Sequence, residues 1–399
     1  MRRFSTSRAI FDAYILSAVR TPIGNFNGSL GKVSAIELGV TAAKAAIQRA
    51  SVAPENIEEI IFGQVLQGDV GQAPARQVSI GAGIPTNAEA VTINKVCASG
   101  LKTVSLAAQS ILLGDRNVVL TGGTESMSLS PFYVSRSVGF GGGKIVDSIV
   151  ADALTDPYGK IHMGNCCENT NRRENITRKE QDDFAIESYR RAQAAISNGA
   201  FKDEIVPVEV KSKKGVVVVS EDEAPNAVKL DKIPTLRAAF EKDGTVTAAN
   251  ASSINDGAAA LVVASGEAAK SLNSKVVAKI VGYADAATDP IDFTIAPSIA
   301  IPKALKKAGI SINDVSVFEI NEAFSGVAIA NNRILGLDPS KVNPRGGAVA
   351  LGHPVGASGA RILVTLLHQL KNGEYGVAAI CNGGGAATAV VVKKVDSVE

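Results

Sequence analysis

The sequence predicts a layered α/β protein built from two similar halves, with a loop domain inserted between them. Three observations predict this architecture. Strand-like apolar runs alternate with helical patterns, two pairs of segments repeat at one constant offset, and a stretch rich in Gly, Pro, Asn and charge separates the repeats. At 399 residues the chain is longer than one hydrophobic core usually supports, so two domains or one duplicated domain are expected.

The alternation is clear near the N-terminus. Residues 13–19 and 57–65 have the apolar character of strands, and residues 35–50 between them have helical spacing. A strand, a helix and a strand in this order form the βαβ unit of layered α/β folds.

The two halves are predicted from internal repetition. Residues 44–65 (KAAIQRASVAPENIEEIIFGQV) and 303–324 (KALKKAGISINDVSVFEINEAF) share a helix, a turn and an acid-spotted strand. Ala-Ser-Gly triplets at 98–100 and 357–359 each open a helical run that a strand follows. Both offsets are 259, since 303 − 44 equals 357 − 98, and the order of elements matches as well as the letters. We interpret this as duplication, although short Ala- and Gly-rich matches also arise by chance.

The domain limits follow from the repeat. We predict an N-terminal half at 1–126, completed by about 252–276, and a C-terminal half at 277–399. The interval 127–251 has the composition of an inserted loop domain with short helices, such as one at 180–197. A functional site is expected between the halves, where loops converge.

Composition excludes several classes of function. Lys plus Arg (41) nearly balance Asp plus Glu (39), so no overall basic field favours nucleic acid. No apolar run reaches the roughly 18 residues of a membrane helix, and we expect a soluble protein without a membrane partner. The four cysteines do not form a disulfide framework, so we expect free thiols in a reducing compartment.

The N-terminal octapeptide bears on localisation. Residues 1–8 hold three Arg and two Ser with no acidic residue, which is typical of a mitochondrial transit peptide or its remnant. A frayed basic terminus explains the same composition, so a cytoplasmic location stays open.

One cysteine has the setting of a nucleophile. Cys97 follows an apolar run at 90–96, predicted to be a strand, and precedes an Ala-Ser-Gly triplet and a helical pattern. A helix N-terminus stabilises a thiolate, so we expect a sulfur that is more nucleophilic near neutral pH than a free cysteine. A buried, inert cysteine is the alternative interpretation.

Three further residues could share that chemistry. His353 lies in a glycine-dense loop that would hold an imidazole rigidly near a ligand, and Cys381 ends the strand-like run 376–380. Together with Cys97 they would supply a nucleophile, a base and a second acid/base. Asn321 ends the strand-like run 315–320, where an amide can hold a water, donate to an oxyanion or simply cap a turn.

Four motifs together closely resemble the thiolase family, in the family's order and over nearly the whole chain. They are NKVCASG at 94–100, NEAF at 321–324, GGAVALGHPVGASG at 346–359 and CNGGG at 381–385. The resemblance implies the thiolase fold, in which duplicated βαβαβαββ halves form a five-layered αβαβα core with an inserted loop domain. Within the family the chain looks most like the potassium-dependent mitochondrial acetoacetyl-CoA thiolases.

The resemblance also implies roles for the site residues. Cys97 would attack the acyl carbonyl, His353 would take its proton and Cys381 would shuttle the substrate proton. Asn321 would hold a water that forms one oxyanion hole with His353, and the N–H groups of Cys97 and Gly383 would form the other. The implied reaction is the reversible condensation of two acetyl-CoA to acetoacetyl-CoA and CoA.

Ligand-binding residues are implied in the same way, together with a homotetrameric assembly. For coenzyme A they are Leu154, His162, Met163, Tyr189, Lys229, Lys232, Ala249, Ser252 and Phe324, with the two lysines as candidates for the phosphates. For a potassium ion they are Tyr189, Ala248, Ala249, Ala251 and Val349, mostly through carbonyl oxygens.

Two alternatives stay open. A broad-range 3-ketoacyl-CoA thiolase of β-oxidation would share every catalytic residue, although Met163 and Phe324 in the acyl pocket favour short chains. A non-catalytic, thiolase-like acyl-CoA or lipid-binding protein would not need the two cysteines and the histidine that this sequence retains.

Overall fold

The structure is a computed structural model that describes residues 12–213 and 215–399. The prediction about residues 1–8 therefore falls outside the described residues. The strands are β1 (Ala13–Arg20), β2 (Gly24–Asn25), β3 (Glu59–Gly63), β4 (Glu89–Ile93), β5 (Val118–Ser126), β6 (Phe132–Val134), β7 (Ile145–Asp147), β8 (Thr155–Asp156), β9 (Ile161–His162), β10 (Val208–Ser212), β11 (Gly215–Val219), β12 (Asn255–Ser265), β13 (Ala278–Ala287), β14 (Val315–Ile320), β15 (Tyr375–Asn382) and β16 (Ala386–Lys394). The α-helices are α1 (Ala35–Ala50), α2 (Pro74–Gly81), α3 (Ser99–Leu112), α4 (Met163–Arg173), α5 (Arg178–Ser197), α6 (Gly266–Ser271), α7 (Ala296–Ala308), α8 (Ser325–Leu335), α9 (Ala348–Leu351) and α10 (Val355–Leu367). In the described part of the chain, no helix is both long and apolar enough to span a bilayer.

The strands of the two halves have the same spatial order. In the first half the order is β4, β3, β5, β12 and β1, with parallel pairing among the first three and antiparallel pairing after them. In the second half β14, β15, β16 and β13 repeat this order and these directions. A parallel bridge between Phe318 and Val342 takes the place that β4 has in the first half. The predicted duplication is thereby confirmed.

Three apolar cores hold five layers together, and the middle core encloses the central layer on both sides. The first lies between α1, α2 and α6 on one side and the outer face of the first half's strands. The second contains α3 and α10 between the inner faces of both halves, and the third lies between α7 and the outer face of the second half. This is the αβαβα arrangement that the resemblance implied.

The two central helices cross at a pair of glycines that the repeat relates to each other. A Cβ on Gly100 would lie 2.7 Å from the backbone nitrogen of Ala360, and one on Gly359 would lie 2.4 Å from that of Leu101. Only glycine permits so close a backbone approach. The crossing therefore brings the N-terminal ends of α3 and α10 together, and with them the segments that carry Cys97 and His353.

The segment between β5 and β12 contains α4, α5 and three two-stranded sheets. β12, which follows it in sequence, lies between β1 and β5 in the first half. The limits of the loop domain at 127 and 251 stay a prediction.

Candidate active site

Cys97 lies between a strand and a helix, as predicted, but the turn there begins earlier than the sequence pattern indicates. The strand expected at 90–96 is wrong at its end, because β4 stops at Ile93. Val96 has a φ of 48°, in the left-handed region that a β-branched residue rarely adopts. Strain of this kind persists where the surroundings fix it, and it often occurs at active sites.

Side chains of the NKVCASG motif hold this turn. The Asn94 side-chain oxygen accepts a hydrogen bond from the Val96 N–H at 3.0 Å. The Ser99 hydroxyl accepts from the Lys95 N–H at 2.8 Å and donates to the Val96 carbonyl at 2.6 Å. These bonds end β4 and direct the next residue, Cys97, towards the start of α3.

Burial, rather than the helix N-terminus, dominates the ionisation of Cys97. It raises the pKa of the thiol to about 11, although the N–H groups of Gly383 and of Cys97 itself donate to the sulfur and lower it. The expectation of a thiolate stabilised by α3 is therefore wrong, because desolvation raises the pKa more than the backbone N–H groups lower it. Near neutral pH the sulfur of Cys97 is therefore a protonated thiol, which would need a base to act as a nucleophile.

His353 presents a free ring nitrogen. Its Nδ1 lies 2.6 Å from the Ser358 hydroxyl, and that hydroxyl donates to the Pro354 carbonyl at 2.9 Å. Because the hydroxyl has a single hydrogen, both bonds form only if Nδ1 carries the imidazole proton. Within the described residues Nε2 has no hydrogen-bond partner, so it is available as a proton acceptor.

The imidazole is neutral over most of the pH range. Burial, with a smaller contribution from the positive charge of Arg361, lowers the pKa of His353 to about 3. In the unfolded chain the pKa of histidine is near 6.5, so the unfolded state binds the additional proton between about pH 3 and pH 6.5.

This shift predicts a pH dependence of stability. As the pH falls below about 6.5, His353 should cost the wild type up to about 1.4 kcal/mol of unfolding free energy per pH unit. His353→Asn, whose amide can still donate to Ser358, should show a shallower loss. Urea unfolding at half-unit steps from pH 4 to pH 7.5 measures both slopes, and equal slopes would contradict the assignment.

Cys381 lies near the end of β15, close to Cys97. It is fully buried and packs in one cluster with Met163 and Phe324. Burial raises the pKa of its thiol well above the ordinary value, and the nearby sulfur of Cys97 raises it further. The strand ends of the two halves thus bring both thiols close to each other.

Asn321 follows β14 and is fully buried. Neither polar atom of its side chain has a hydrogen-bond partner in the described part of the chain. The side chain therefore does not cap a turn, and its free capacity suits a bound water or ligand oxygen.

Two carboxylates stand close to these groups. The buried Glu322, next to Asn321, accepts from Ser188, Asn343 and the Val349 N–H. Burial raises the pKa of Glu125 to about 8, although three backbone N–H groups lower it. Glu322 belongs to the NEAF motif but was given no role from the sequence, and Glu125 lies outside all four motifs.

Cys97 and His353 line one cavity of about 230 Å³ between the halves and the loop segment. Five of the predicted coenzyme A residues and one predicted potassium ligand line it as well. These are Leu154, His162, Met163, Ser252, Phe324 and, from the potassium set, Ala251. Sequence reasoning missed other lining residues, which are Met127, Ala153, Phe240, Ser253, Ile254, Phe293, Ala323 and Val355.

Aromatic rings narrow the cavity. His162 stacks on Phe240 with ring centroids 4.6 Å apart, and Phe240 meets the edge of Phe324 at 6.2 Å. Phe240 stands alone in a loop without a recurring pattern, so no local signal in the sequence could have identified it.

The remaining predicted residues lie outside the cavity lining. Tyr189, Ala249 and Val349 pack together in a neighbouring cluster, whereas Ala248 is exposed. Lys229 and Lys232 are exposed on the loop segment that leads to Phe240.

Two family models cover almost all of the described chain. The thiolase N-terminal domain matches residues 13–267, and the thiolase C-terminal domain matches residues 274–394. The chain belongs to the thiolase family. The resemblance carried by the four motifs is thereby confirmed.

Individual thiolases are similar over their full length. An acetyl-CoA acetyltransferase of Yarrowia lipolytica is 66% identical over 387 residues, which are 97% of this chain and 98% of the relative. An acetyl-CoA acetyltransferase of Gibberella zeae, described as mitochondrial, is 58% identical and covers 100% of this chain and 95% of its own. The crystal structure of the Acat5 thiolase from Ascaris suum in complex with coenzyme A superposes with a TM-score of 0.93 at 50% identity, covering 96% of this chain and 100% of that one.

Proposed function

We propose that this thiolase is an acetyl-CoA C-acetyltransferase that condenses two acetyl-CoA to acetoacetyl-CoA and CoA, or runs the reverse thiolysis. One observation carries the proposal: a thiol and a neutral imidazole line one small cavity, and a second thiol lies next to the first. The names of the relatives from Yarrowia lipolytica and Gibberella zeae support the same activity.

In the first step Cys97 takes the acetyl group. Because its pKa is about 11 and that of His353 about 3, the thiol proton moves to Nε2 of His353 as the sulfur attacks the thioester carbonyl. The negative charge that develops on the carbonyl oxygen is stabilised by hydrogen bonds, and Asn321 with a water and His353 would supply one set. His353 then gives this proton to the sulfur of CoA, which leaves as the thiol. Cys97 now carries an acetyl thioester.

In the second step a carbon–carbon bond forms. The thiol proton of Cys381 would first pass to Nε2 of His353, which is neutral again once CoA has left. The Cys381 thiolate then removes a proton from the methyl group of a second acetyl-CoA, and the resulting enolate attacks the acetyl carbonyl on Cys97. The N–H groups of Cys97 and Gly383, which donate to the free sulfur in the resting enzyme, are placed to receive the new oxyanion. Collapse of this intermediate releases acetoacetyl-CoA and the Cys97 thiolate, which takes the proton back from His353 and becomes the neutral thiol again.

The size of the cavity favours a short acyl chain. Met163, Phe240 and Phe324 line its 230 Å³, which leaves little room beyond a few carbon atoms next to the pantetheine arm. A broad-range β-oxidation thiolase is the second candidate. Thiolysis rates over a series of 3-ketoacyl-CoA chain lengths distinguish the two, since a preference for long chains would reject the acetoacetyl assignment.

Coenzyme A would enter along the lining residues named above, and the exposed Lys229 and Lys232 would meet its phosphates. Charge reversal at these lysines should raise the KM for acetyl-CoA and leave kcat nearly unchanged.

A potassium ion fits the residues next to this cavity. Tyr189, Ala249 and Val349 pack together. Burial, and after it the buried carboxylate of Glu322, raises the pKa of Tyr189 to about 12, and the same carboxylate accepts from the Val349 N–H. Hard carbonyl oxygens beside a buried anion suit a monovalent cation. Its role would be to order the loop at 248–251, and a higher melting temperature in KCl than in NaCl of equal ionic strength would test it.

A homotetramer and a mitochondrial location complete the proposal. The β6–β7 hairpin exposes apolar side chains, including Phe132 at 64% and Ile145 at 65%, which favours burial against another copy. Light scattering should then give about four times the chain mass of 41.1 kDa. A fusion of residues 1–11 to a reporter tests the location, with cytoplasmic retention as the opposing outcome.

Mass detection of an acetyl adduct tests the central proposal. After exposure to acetyl-CoA, the peptide that contains Cys97 should carry one acetyl group that disappears on addition of CoA. A peptide that stays unmodified, or an adduct at another cysteine, would refute the assignment.

A further inference from the structure

We infer that Glu125 is a positioning residue of this reaction, whose carboxylate fastens the start of α10, just after His353, to the loop that packs against Cys97. The inference rests on the proposed acyl transfer. It assigns a function to a buried group that none of the four motifs contains.

Glu125 lies on β5 and is fully buried. One carboxylate oxygen accepts from the Gly356 N–H at 2.9 Å and from the Val65 N–H at 3.0 Å, and the other accepts from the Leu66 N–H at 3.1 Å. Three donors from two separate segments of the chain therefore converge on a single side chain.

Each of those segments is next to a reacting group. Gly356 is the third residue after His353 and lies in the first turn of α10. Val65 and Leu66 pack in one cluster with the partly buried Cys97. Glu125 thus connects the element of the second half that carries the base to the surroundings of the nucleophile in the first half.

A carboxylate suits this position better than any neutral side chain. The N–H groups of the first helical turn point out of α10, and a negative charge there is favourable. Two carboxylate oxygens can accept all three bonds, whereas an amide offers one oxygen and would turn its NH2 group towards at least one N–H. The three N–H donors offset part of the desolvation cost of the buried carboxylate.

The packing around Gly356 leaves little other freedom. A Cβ on Gly123 of β5 would lie 2.1 Å from the Gly356 carbonyl oxygen, and one on Gly356 would lie 2.7 Å from the carboxylate of Glu125. The start of α10 therefore rests directly on the backbone of β5. Close backbone packing of this kind holds the two segments together, and the directional hydrogen bonds of Glu125 fix their relative position.

Glu125→Gln should separate kcat from KM. We expect kcat to fall on the order of 10²-fold, since a misplacement of about 1 Å between reacting groups has that effect. KM for acetyl-CoA should change less than about 3-fold, because most residues that line the cavity belong to the segment between β5 and β12. The single-turnover rate of Cys97 acetylation should fall together with kcat. Glu125→Asp keeps the charge but shortens the reach, so its kcat should lie between those of Glu125→Gln and the wild type.

Glu223→Gln is the matched control. Glu223 also accepts from two backbone N–H groups, those of Asn25 and Ser29, but it contacts neither the loop of Cys97 nor that of His353. Its substitution should lower the melting temperature and leave kcat within about 3-fold of the wild type. Equal losses of kcat in the two Gln variants, or a loss in Glu125→Gln that appears in KM, would overturn the inference.

If Glu125→Gln does not fold, the Asp variant decides alone, and a wild-type kcat in that variant rejects the assignment. A wild-type enzyme that is not acetylated at Cys97 would instead refute the proposed function, so the two failures can be told apart.

Discussion

Replacement of Cys97 by serine is expected to lower kcat for acetoacetyl-CoA thiolysis by about 10⁴-fold or more, while the affinity for CoA stays nearly unchanged. An alcohol is much less acidic than a thiol, and His353, with a pKa of about 3, is too weak a base to take its proton before attack. The serine side chain fits the same space, so the cavity keeps its shape. Steady-state thiolysis and calorimetric titration with CoA measure the two effects.

Cys166→Ser provides the control for this substitution. Cys166 is a buried free thiol on α4 that does not line the cavity. The variant should lose some stability and retain its turnover. If Cys97→Ser kept more than about a tenth of the wild-type kcat, covalent catalysis by Cys97 would have to be abandoned.

The sequence predicted the framework well because regular patterns express local preferences. The helix expected at 35–50 is α1 to the residue, and the run 315–320 is β14. The offset of 259 located the duplication, since both halves bury equivalent apolar faces against the same central layer. The helix and the strand follow from the spacing of apolar residues within one stretch, and the duplication follows from a comparison of two stretches.

The strand-to-helix turn at Cys97 was predicted, but its start after Ile93 and its left-handed conformation were not. The apolar letters of 90–96 continue the strand pattern, and Val96 is an improbable residue at positive φ. The turn forms because Asn94 and Ser99 bind the backbone on either side of it and because Gly100 lets α10 approach. A local pattern of apolar residues gives no information about a contact with a helix 259 residues away.

Ionisation was also beyond sequence reasoning. A helix N-terminus is visible in the letters, but burial is a property of the whole fold, and here it decides the pKa of Cys97. Burial also decides the pKa of Glu125. No local pattern in the sequence distinguishes this residue from other acidic residues, and its three backbone donors are seen only in the structure.

Replacement of Cys381 by alanine should separate the two halves of the reaction. Acetyl transfer from acetyl-CoA to Cys97 does not use the second thiol, so the adduct should form within about 10-fold of the wild-type rate. The condensation needs a base for the methyl proton, and its rate should fall about 10³-fold. Rapid-quench mass spectrometry measures the adduct, and the formation of acetoacetyl-CoA measures the second step.

Exchange of methyl protons with solvent tests the role of Cys381 more directly. In deuterated water the wild type should incorporate deuterium into acetyl-CoA, whereas Cys381→Ala should not, even though its Cys97 is acetylated. Burial raises the pKa of Cys381 well above the ordinary value, so a thiolate must be generated in the pocket at the moment of proton removal. Unchanged deuterium incorporation in Cys381→Ala would assign the base to another group.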